Sequence, residues 1–442
     1  MSEKLRSIGL DVGTTSTQMI FSELEIENRA GSFAVPEMEI AQRKILYKSP
    51  VHFTPLLGQD RVDAAALREI VDREYEKAGI RRGSVDTGAI IITGETSRKE
   101  NARAVLAALS EYAGDFVVAT AGPDLESVLA AKGAGAVAYS EETGKPVLHM
   151  DIGGGTSNLA WIEAGKIMAT SCLNVGGRLV KIDENQRLRY VSPVLEGLFP
   201  KKEGDYVNRE EIEGLAQMLV HALEMAAGLR VRTELLDRLI TKEVQGLTVR
   251  EKPGVISFSG GVADCIETEQ PWLAFGDMGP ELGQAIRRSR LGRGEYMLGQ
   301  ETIRATVIGA GCHSAQLSGS TVYHQNVRFP LKNLPVVYDS GELARLDGPG
   351  VLALPGIDSP GYGQVRAMAE RLAGVVGTGP VLIALEKDMA KALGQALSLQ
   401  LGKEAEIMCI DRVRIPEGSY LDVGAPVGPA MPIVVKTLIL NR

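Results

Sequence analysis

The chain is short of cysteine and of aromatic residues. Only 4 of its 442 residues are cysteines, and aromatic residues make up 5%. The cysteines are widely scattered and form no C-x-x-C pair, and the five histidines form no H-E-x-x-H motif. Disulfide frameworks and zinc sites depend on such clusters. We therefore expect neither a disulfide-stapled fold nor a transition-metal site.

Long apolar runs and an excess of basic charge are also missing. No apolar run approaches the ~18–20 residues that span a membrane. The first residues lead quickly into a turn, which leaves no room for the apolar region of a signal peptide. The formal net charge of −8 argues against a nucleic-acid partner, which needs a basic face. We expect a cytoplasmic protein with no membrane partner. A nucleotide pocket stays open, because backbone N–H groups can hold phosphate.

Glycine, by contrast, is abundant, with 50 residues. A glycine-rich chain with few aromatic residues suits an α/β architecture, in which tight turns and close backbone approaches need residues without side chains. At about 150 residues per domain, the length suggests roughly three domains. Helical spacing predicts helices over 63–78, with Gly79 as the stop, over 125–139, and within 209–240.

A strand, an aspartate, a glycine turn and a returning strand occur twice in the chain. Residues 10–18 align with residues 150–158, so Asp11 and Asp151 occupy equivalent places. Such a repeat indicates two like domains that face each other. A carboxylate at a strand end can hold Mg²⁺, usually through water, and glycine turns let phosphate oxygens approach backbone N–H groups. The turn residues expected to bind nucleotide phosphates are Gly13, Thr14, Thr15, Gly153, Gly154, Gly155 and Thr156.

Further polar and glycine positions extend this pattern. Gln18 and Asn158 occupy equivalent places in the repeat. One interpretation is that their side chains reach phosphate or the waters of Mg²⁺. The other is that they are ordinary polar residues of a strand. A later strand, 255–258, ends in a turn whose glycines would let an adenosine lie against the backbone. That turn consists of Ser259, Gly260, Gly261 and Val262. An isolated turn of either kind is usually only a hairpin, but a matching pair followed by the third motif favours a nucleotide site.

Two other phosphate-binding patterns fail. Residues 133–138 fit the G-x-G-x-x-A fingerprint, but no strand leads into them. The Gly-Lys pairs at 144–145, 165–166 and 402–403 are followed by Pro, Ile and Glu, so no Walker A loop is present.

The three turns together resemble the first phosphate, second phosphate and adenosine motifs of the superfamily of actin, sugar kinases and heat-shock chaperone ATPases. Two segments rich in small residues, 133–139 and 307–311, match the places of its hinge helices. The resemblance implies an α/β, actin-like ATPase fold, with duplicated ribonuclease-H-like domains around a nucleotide cleft. It also implies ATP as the nucleotide, with Asp11 and Asp151 as catalytic residues and as the holders of Mg²⁺.

The resemblance to this superfamily covers about residues 1–335, and the pattern then changes to β-α-β-α-β. This alternation predicts a small parallel sheet. We expect a first domain over 1–145, a second over 146–335, and a C-terminal α/β domain over 336–442. The stretch 338–350 is the candidate linker.

Longer segments resemble the reactivating factors of ethanolamine ammonia-lyase. These segments are 49–55, 89–96, 121–128, 172–178, 306–311 and 417–424. The similarity runs through nearly the whole chain. It implies a chaperone-like factor that uses ATP and Mg²⁺ to loosen the lyase, so that damaged cobalamin leaves and adenosylcobalamin enters. It further implies ethanolamine ammonia-lyase as the partner, with a homo-oligomer and association with an ethanolamine-utilisation microcompartment as open options.

Two single residues and the function of the chain each have alternative interpretations. Glu126 precedes the first hinge segment; by analogy with chaperone ATPases it would orient the attacking water, and the simpler interpretation is a solvated helix carboxylate. His149 is interpreted as a packed strand histidine. A small-molecule kinase of the same fold would need a general base facing an acceptor hydroxyl. An actin-like filament or scaffold protein is the third option.

Overall fold

The computed structural model describes most of the chain. The described residues are 3–13, 16–28, 38–57, 61–93, 105, 109, 118–120, 123–241, 252–299, 301–313, 316–318, 321–343, 345–346, 348–375, 379–413, 415, 419–426 and 431–437. Two predicted phosphate-binding residues, Thr14 and Thr15, lie outside them.

The first lobe is built on one mixed sheet. Its strands are β1 (Glu3–Val12), β2 (Ser16–Asn28), β3 (Met38–Lys48), β4 (His52–Phe53), β7 (Thr87–Ile92) and β8 (Val118–Thr120), and a separate pair is formed by β5 (Leu56–Leu57) and β6 (Arg61–Val62). The order across the sheet is β3-β2-β1-β7-β8, with β4 beside β2. β1 runs antiparallel to β2 and parallel to β7, and β7 runs parallel to β8.

The second lobe repeats this arrangement. Its sheet contains β9 (Val147–Ile152), β10 (Ser157–Glu163), β11 (Lys166–Leu173), β14 (Val255–Ser259) and β15 (Tyr296–Leu298), and β12 (Val180–Ile182) pairs separately with β13 (Leu188–Val191). The order is β11-β10-β9-β14-β15, with the same strand directions as in the first lobe. Asp11 pairs with Gln18 across β1 and β2, as Asp151 pairs with Asn158 across β9 and β10. The structure therefore confirms the predicted duplication.

Helices cover and join the two sheets. They are α1 (Ala64–Ala78), α2 (Pro123–Gly133), α3 (Ala136–Thr143), α4 (Arg209–Ala226), α5 (Glu234–Leu239), α6 (Asp264–Glu267), α7 (Gly279–Arg288), α8 (Arg290–Arg293) and α9 (Ala305–His313). The predicted α1 is confirmed: the Asp63 side chain caps its first turn, and Gly79 ends it with a φ of 66°. Such left-handed backbone favours glycine.

Two of the predicted helical stretches are divided. The single helix expected over 125–139 is wrong, because Gly135 adopts a φ of 80° between α2 and α3. The zone over 209–240 likewise holds α4 and α5, with Gly228 at a φ of 69° between them. Glycine is free to adopt this conformation, and spacing alone does not reveal where it does so.

The two lobes are joined by the crossing of α2 and α9. A Cβ added to Gly133 would lie 1.9 Å from the Ala305 carbonyl oxygen, and one added to Gly309 would lie 2.1 Å from the Leu129 carbonyl oxygen. α2 packs on the second sheet, and α9 packs on β1 and β2 of the first. The expected crossing of small-residue helices is therefore confirmed. Of the segment 133–139, however, only Gly133 belongs to the crossing helix.

A third sheet follows the two lobes. Its strands are β16 (Gln316–Leu317), β17 (Tyr323–Gln325), β18 (Leu331–Val337), β19 (Val351–Leu354), β20 (Val381–Leu385), β21 (Ile407–Ile410), β22 (Ser419–Val423) and β23 (Pro432–Thr437), accompanied by α10 (Ser340–Leu343), α11 (Tyr362–Val375) and α12 (Ala390–Leu401). The parallel pairing of β19, β20 and β21 with intervening helices confirms the predicted β-α-β-α-β unit.

The expected domain limits stay predictions. The candidate linker 338–350 connects β18 and β19, which are parallel neighbours in one sheet. The expected limit at residue 335 falls within β18. In the described part of the chain, no helix is long and apolar enough to cross a membrane.

The helix crossing should be sensitive to a single methyl group. Gly309→Ala places a Cβ against the backbone of α2, and overpacking of this kind costs about 1–3 kcal/mol. Gly214→Ala is the matched control, because a Cβ on this glycine of α4 meets nothing within 4 Å. Thermal unfolding should show a lower melting temperature for Gly309→Ala and an unchanged or higher one for Gly214→Ala. Equal melting temperatures for the two variants would contradict the tight crossing.

Candidate functional site

The two aspartate turns have the same backbone geometry. Gly13 donates its N–H to the Ser16 carbonyl oxygen at 2.9 Å, and Gly153 donates its N–H to the Thr156 carbonyl oxygen at 2.9 Å. In each lobe the turn therefore follows the aspartate at the same offset. The two lobes present equivalent glycine backbones beside equivalent carboxylates.

Asp11 lies at the end of β1 and is held by a hydroxyl of the neighbouring strand end. Thr93 Oγ1 donates to Asp11 Oδ1 at 2.7 Å. Burial raises the pKa of Asp11 from 3.8 to about 7; the Thr93 hydrogen bond opposes this shift, and the charge of Asp151 adds to it. The effect of the Asp151 charge on Asp11 indicates that the carboxylates of the two lobes lie near each other.

Asp151 is held in the same way but more fully. Ser259 Oγ donates to Oδ1 at 2.5 Å, and Thr306 Oγ1 donates to Oδ2 at 3.3 Å. Burial raises the pKa of Asp151 despite these hydrogen bonds. Ser259 pairs with Asp151 across β14 and β9. The Ser259 hydroxyl, which the sequence assigns to nucleotide binding, is thus bonded to the second aspartate.

The rest of the predicted adenosine turn folds against the second hairpin. Gly260 has a φ of 85° and lies so close to Ile152 that an added Cβ would be 2.3 Å from its carbonyl oxygen. Val262 donates its N–H to the same Ile152 oxygen at 3.2 Å, and its side chain is buried in the core of the second lobe. Gly261 follows with little around its Cα. A ligand at this turn would therefore meet backbone.

The amides of the returning strands contact the helices that join the lobes. Gln18 Nε2 donates to the Ile303 carbonyl oxygen at 3.1 Å, just before α9. Asn158 Nδ2 donates to Glu126 Oε2 at 2.9 Å, on α2. Glu126 is only 7% exposed. The interpretation of Glu126 as a solvated helix carboxylate is therefore wrong, since the turn of α2 that carries it faces the second sheet.

The carboxylates and amides fit a hydrated Mg²⁺. Among the described residues, Gln18 Oε1 and Asn158 Oδ1 are buried acceptors with no hydrogen-bond partner. Mg²⁺ is usually bound through one or two carboxylates and keeps several waters, which donate hydrogen bonds. Asp11 and Asp151 would supply the carboxylates, and the two orphan amide oxygens, on residues paired with them across the hairpins, would supply acceptors. No group of three or more His, Cys, Asp or Glu side chains suited to a metal occurs in the described ranges.

A cavity of about 330 Å³ opens beside both turns. Its walls come from both lobes: Phe53, Thr54, Leu56, Arg178, Lys181, Phe275, Gly276 and Asp277. Thr54 Oγ1 donates to the Gly13 carbonyl oxygen at 2.8 Å. Arg178 donates its N–H to the Gly154 carbonyl oxygen at 2.6 Å, and its Nε lies 2.9 Å from Asp277 Oδ2. Each wall is therefore bonded to one of the two turns.

Sequence reasoning missed three contacts of the site. Thr93 and Thr306 hold the two aspartates, and Arg178 lies against the second turn. Thr93 carried a usable signal, because it follows β7 much as Ser259 ends β14 in the repeat. Thr306 carried none, since only the folded crossing brings α9 to Asp151.

Two like lobes that present an aspartate and a glycine turn each, and that are joined by crossing helices, define the actin-like fold class. Within this class, the chain belongs to the family of the ethanolamine utilisation protein EutA, whose model matches residues 3–347 and 342–441. The chain is 39% identical over 467 residues to the ethanolamine ammonia-lyase reactivase EutA of Escherichia coli strain K12, covering 99% of each. It is 38% identical over 474 residues to the reactivase EutA of Salmonella typhimurium strain LT2, again covering 99% of each.

Solved structures resemble the chain more distantly. The ethanolamine utilization protein EutJ from Carboxydothermus hydrogenoformans is 15% identical, with a TM-score of 0.35, over 69% of this chain and 88% of that protein.

The raised pKa of Asp11 predicts a pH dependence of stability in metal-free protein. Between 3.8 and about 7, folded Asp11 keeps a proton that the unfolded chain has lost, so the free energy of unfolding falls as pH rises through this window. Asp11→Asn removes the titrating carboxyl group, and with it this fall in the free energy of unfolding. Its melting temperature minus that of the wild type should therefore increase as the pH goes from about 5 to about 8 in EDTA.

Asp358→Asn gives the baseline for this comparison, because Asp358 is an exposed carboxylate in the loop that follows β19. If the difference in melting temperature between Asp11→Asn and the wild type stayed constant with pH, burial would not raise the pKa of Asp11.

Proposed function

We propose that the chain is an ATP- and Mg²⁺-dependent reactivating factor for ethanolamine ammonia-lyase. In this role it would loosen the lyase so that damaged cobalamin leaves and adenosylcobalamin enters. The observation that carries the nucleotide part is the pair of equivalent turns, in which Asp11 and Asp151 occupy the same place at the end of a strand. Support for the client comes from the full-length similarity to two curated reactivases.

ATP is proposed to lie between the lobes, with its phosphates at the two turns. The glycines of both turns carry no side chains, so phosphate oxygens can approach the backbone of the turns closely. Asp11 and Asp151 would hold Mg²⁺, which offsets the negative charge of the phosphates. The residues proposed to line the nucleotide are Gly13, Thr14, Thr15, Gln18, Gly153, Gly154, Gly155, Thr156, Ser259, Gly260, Gly261 and Val262.

The connection from nucleotide to motion is proposed to run through the returning strands. Gln18 is bonded to the chain just before α9, and Asn158 is bonded to Glu126 on α2. A ligand that draws the two turns together therefore acts directly on the crossing helices. It shifts the balance between open and closed lobes only by its different affinity for the two states. Hydrolysis would then release the closed state.

Glu126 is proposed to orient the attacking water. Its carboxylate is buried, and Asn158 ties it to the second hairpin. A positioned general base typically contributes about 10²–10⁴-fold to the rate. This role needs the carboxylate charge as well as the contact with Asn158.

The test uses ethanolamine ammonia-lyase blocked with cyanocobalamin. Wild-type protein with Mg²⁺, ATP and adenosylcobalamin should restore acetaldehyde production from ethanolamine, and omission of ATP should abolish the recovery. Asp151→Asn should lose the ATP-dependent recovery because one of the two metal-holding carboxylates is gone. Asp358→Asn, at an exposed carboxylate in the loop that follows β19, is the matched control and should recover fully.

The same assay separates the roles of the two acidic residues. Glu126→Gln keeps a polar partner for Asn158 and removes the charge, so it should still bind ATP but hydrolyse it about 10²-fold or more slowly. Wild-type recovery by Asp151→Asn would refute the metal assignment. Normal hydrolysis by Glu126→Gln would refute the assignment of the water-orienting residue. If the wild type hydrolysed ATP without recovery of lyase activity, the assignment of ethanolamine ammonia-lyase as the client would be refuted.

A further inference from the structure

A row of hydrogen-bonded side chains lies behind Asp151 inside the second lobe. His149, two residues earlier on β9, has no exposed surface. Its Nδ1 lies 3.0 Å from Ser257 Oγ, and its Nε2 lies 3.0 Å from Ser259 Oγ. Ser259 Oγ lies in turn 2.5 Å from Asp151 Oδ1. Both serines belong to β14, where they pair in register with His149 and Asp151.

The protons of this row have one consistent order while Asp151 carries its charge. An ionised carboxylate only accepts hydrogen bonds, so Ser259 must donate its single hydroxyl proton to Asp151. His149 Nε2 must then carry the proton that it shares with Ser259. The neutral ring is left with an acceptor at Nδ1, which takes the hydroxyl proton of Ser257. In this order every donor has an acceptor, and the ring is held as its Nε2–H tautomer.

The opposite order would disturb the site. If His149 carried its proton on Nδ1, its bare Nε2 would take the Ser259 proton. Ser259 would then turn a lone pair towards Asp151 at 2.5 Å, and the Ser257 hydroxyl would have no acceptor in the row. The second oxygen of Asp151 is occupied by Thr306 on the first turn of α9. The rotamer of Asp151 therefore depends on the sheet side of this row as well as on the hinge helix.

We propose that His149 is a positioning residue for Asp151. Its Nε2–H fixes the direction of the Ser259 hydroxyl, so that this hydroxyl always donates to the carboxylate that would hold Mg²⁺. The role in metal binding rests on the proposed function, whereas the proton order rests on the geometry of the row and on the charge of Asp151. Partners that orient a metal ligand typically change metal affinity or activity by about 10–100-fold when they are removed. The effect of His149 should fall in this range.

The first test reads the proton order directly in the metal-free wild-type chain, at alkaline pH so that Asp151 carries its charge. Long-range ¹H–¹⁵N correlation spectra of protein labelled with ¹⁵N-histidine distinguish the two neutral tautomers and the imidazolium. The signal of His149, identified by its loss in a His149 variant, should show the Nε2–H tautomer. Ser257→Ala should keep this tautomer, because Asp151 and Ser259 set the proton at Nε2 and a proton on Nδ1 would then have no acceptor in the row. An Nδ1–H or doubly protonated ring in the wild type would overturn the inference.

The second test compares two substitutions of the same residue. His149→Gln keeps an N–H donor near the position of Nε2, whereas His149→Leu removes it. Calorimetric titration with Mg²⁺ in the presence of ADP should show affinity about 10-fold or more weaker for His149→Leu, and near the wild-type value for His149→Gln. His221→Leu, on the half-buried face of α4, is the control for loss of a histidine.

The outcomes separate this inference from the proposed function. Absence of Mg²⁺–ADP binding by the wild type would refute the proposed nucleotide site and leave the tautomer test standing. Equal affinity in His149→Leu and wild type, or equal weakening in both His149 variants, would overturn the positioning role. If His149→Leu fails to fold, the wild-type and Ser257→Ala spectra still decide the proton order.

Discussion

The close crossing of α2 and α9 is the contact on which the rest of the molecule depends. The two helices approach until a methyl group at Gly133 or Gly309 would overlap the backbone of the partner helix. Each helix lies on the sheet of one lobe, and the Gly311 carbonyl oxygen accepts hydrogen bonds from Ser7 and Ser22 of the first sheet. Because α2 leads from the first sheet to the second and α9 packs back on the first, the relative orientation of the lobes depends on this crossing.

The second constraint is electrostatic. Asp11 and Asp151 are raised in pKa chiefly by burial, and within the described residues only hydroxyl groups hold them, with no cation bonded to either. Buried carboxylates without a cationic partner are costly. In the proposed function, a bound divalent cation would remove this cost and the repulsion that Asp151 exerts on Asp11. Binding would then also favour closure, and the amides of Gln18 and Asn158 would carry that change to the helices that cross.

Much of this arrangement could be predicted from the sequence, because it depends on local patterns. The repeated Asp-Gly turn predicted the duplicated sheet, and alternation of strands and helices predicted the third sheet. The division of the helix at Gly135 was missed, since a positive φ leaves no mark in helical spacing. Burial of Glu126 was also missed, because it arises where α2 packs on the second sheet, and the contact of Thr306 with Asp151 was missed because only the fold brings α9 to that strand.

The role of His149 shows the same limit from another side. From the sequence alone, His149 is interpreted as a packed histidine of a strand. Its partners Ser257 and Ser259 lie more than a hundred positions away in the sequence. Parallel pairing of β9 and β14 brings them together. The chemistry of the row then follows from counting donors and acceptors, which requires the register of the two strands.

In the proposed function, nucleotide draws the two lobes together about the helix crossing. Spin labels at Leu57→Cys and Phe275→Cys report on it directly, because both residues are exposed on opposite lobes and the four native cysteines are buried. Pulsed electron–electron double resonance should give a shorter distance between the two spin labels with Mg²⁺ and a non-hydrolysable ATP analogue than in metal-free, nucleotide-free protein. An unchanged distance distribution at saturating analogue would contradict the account.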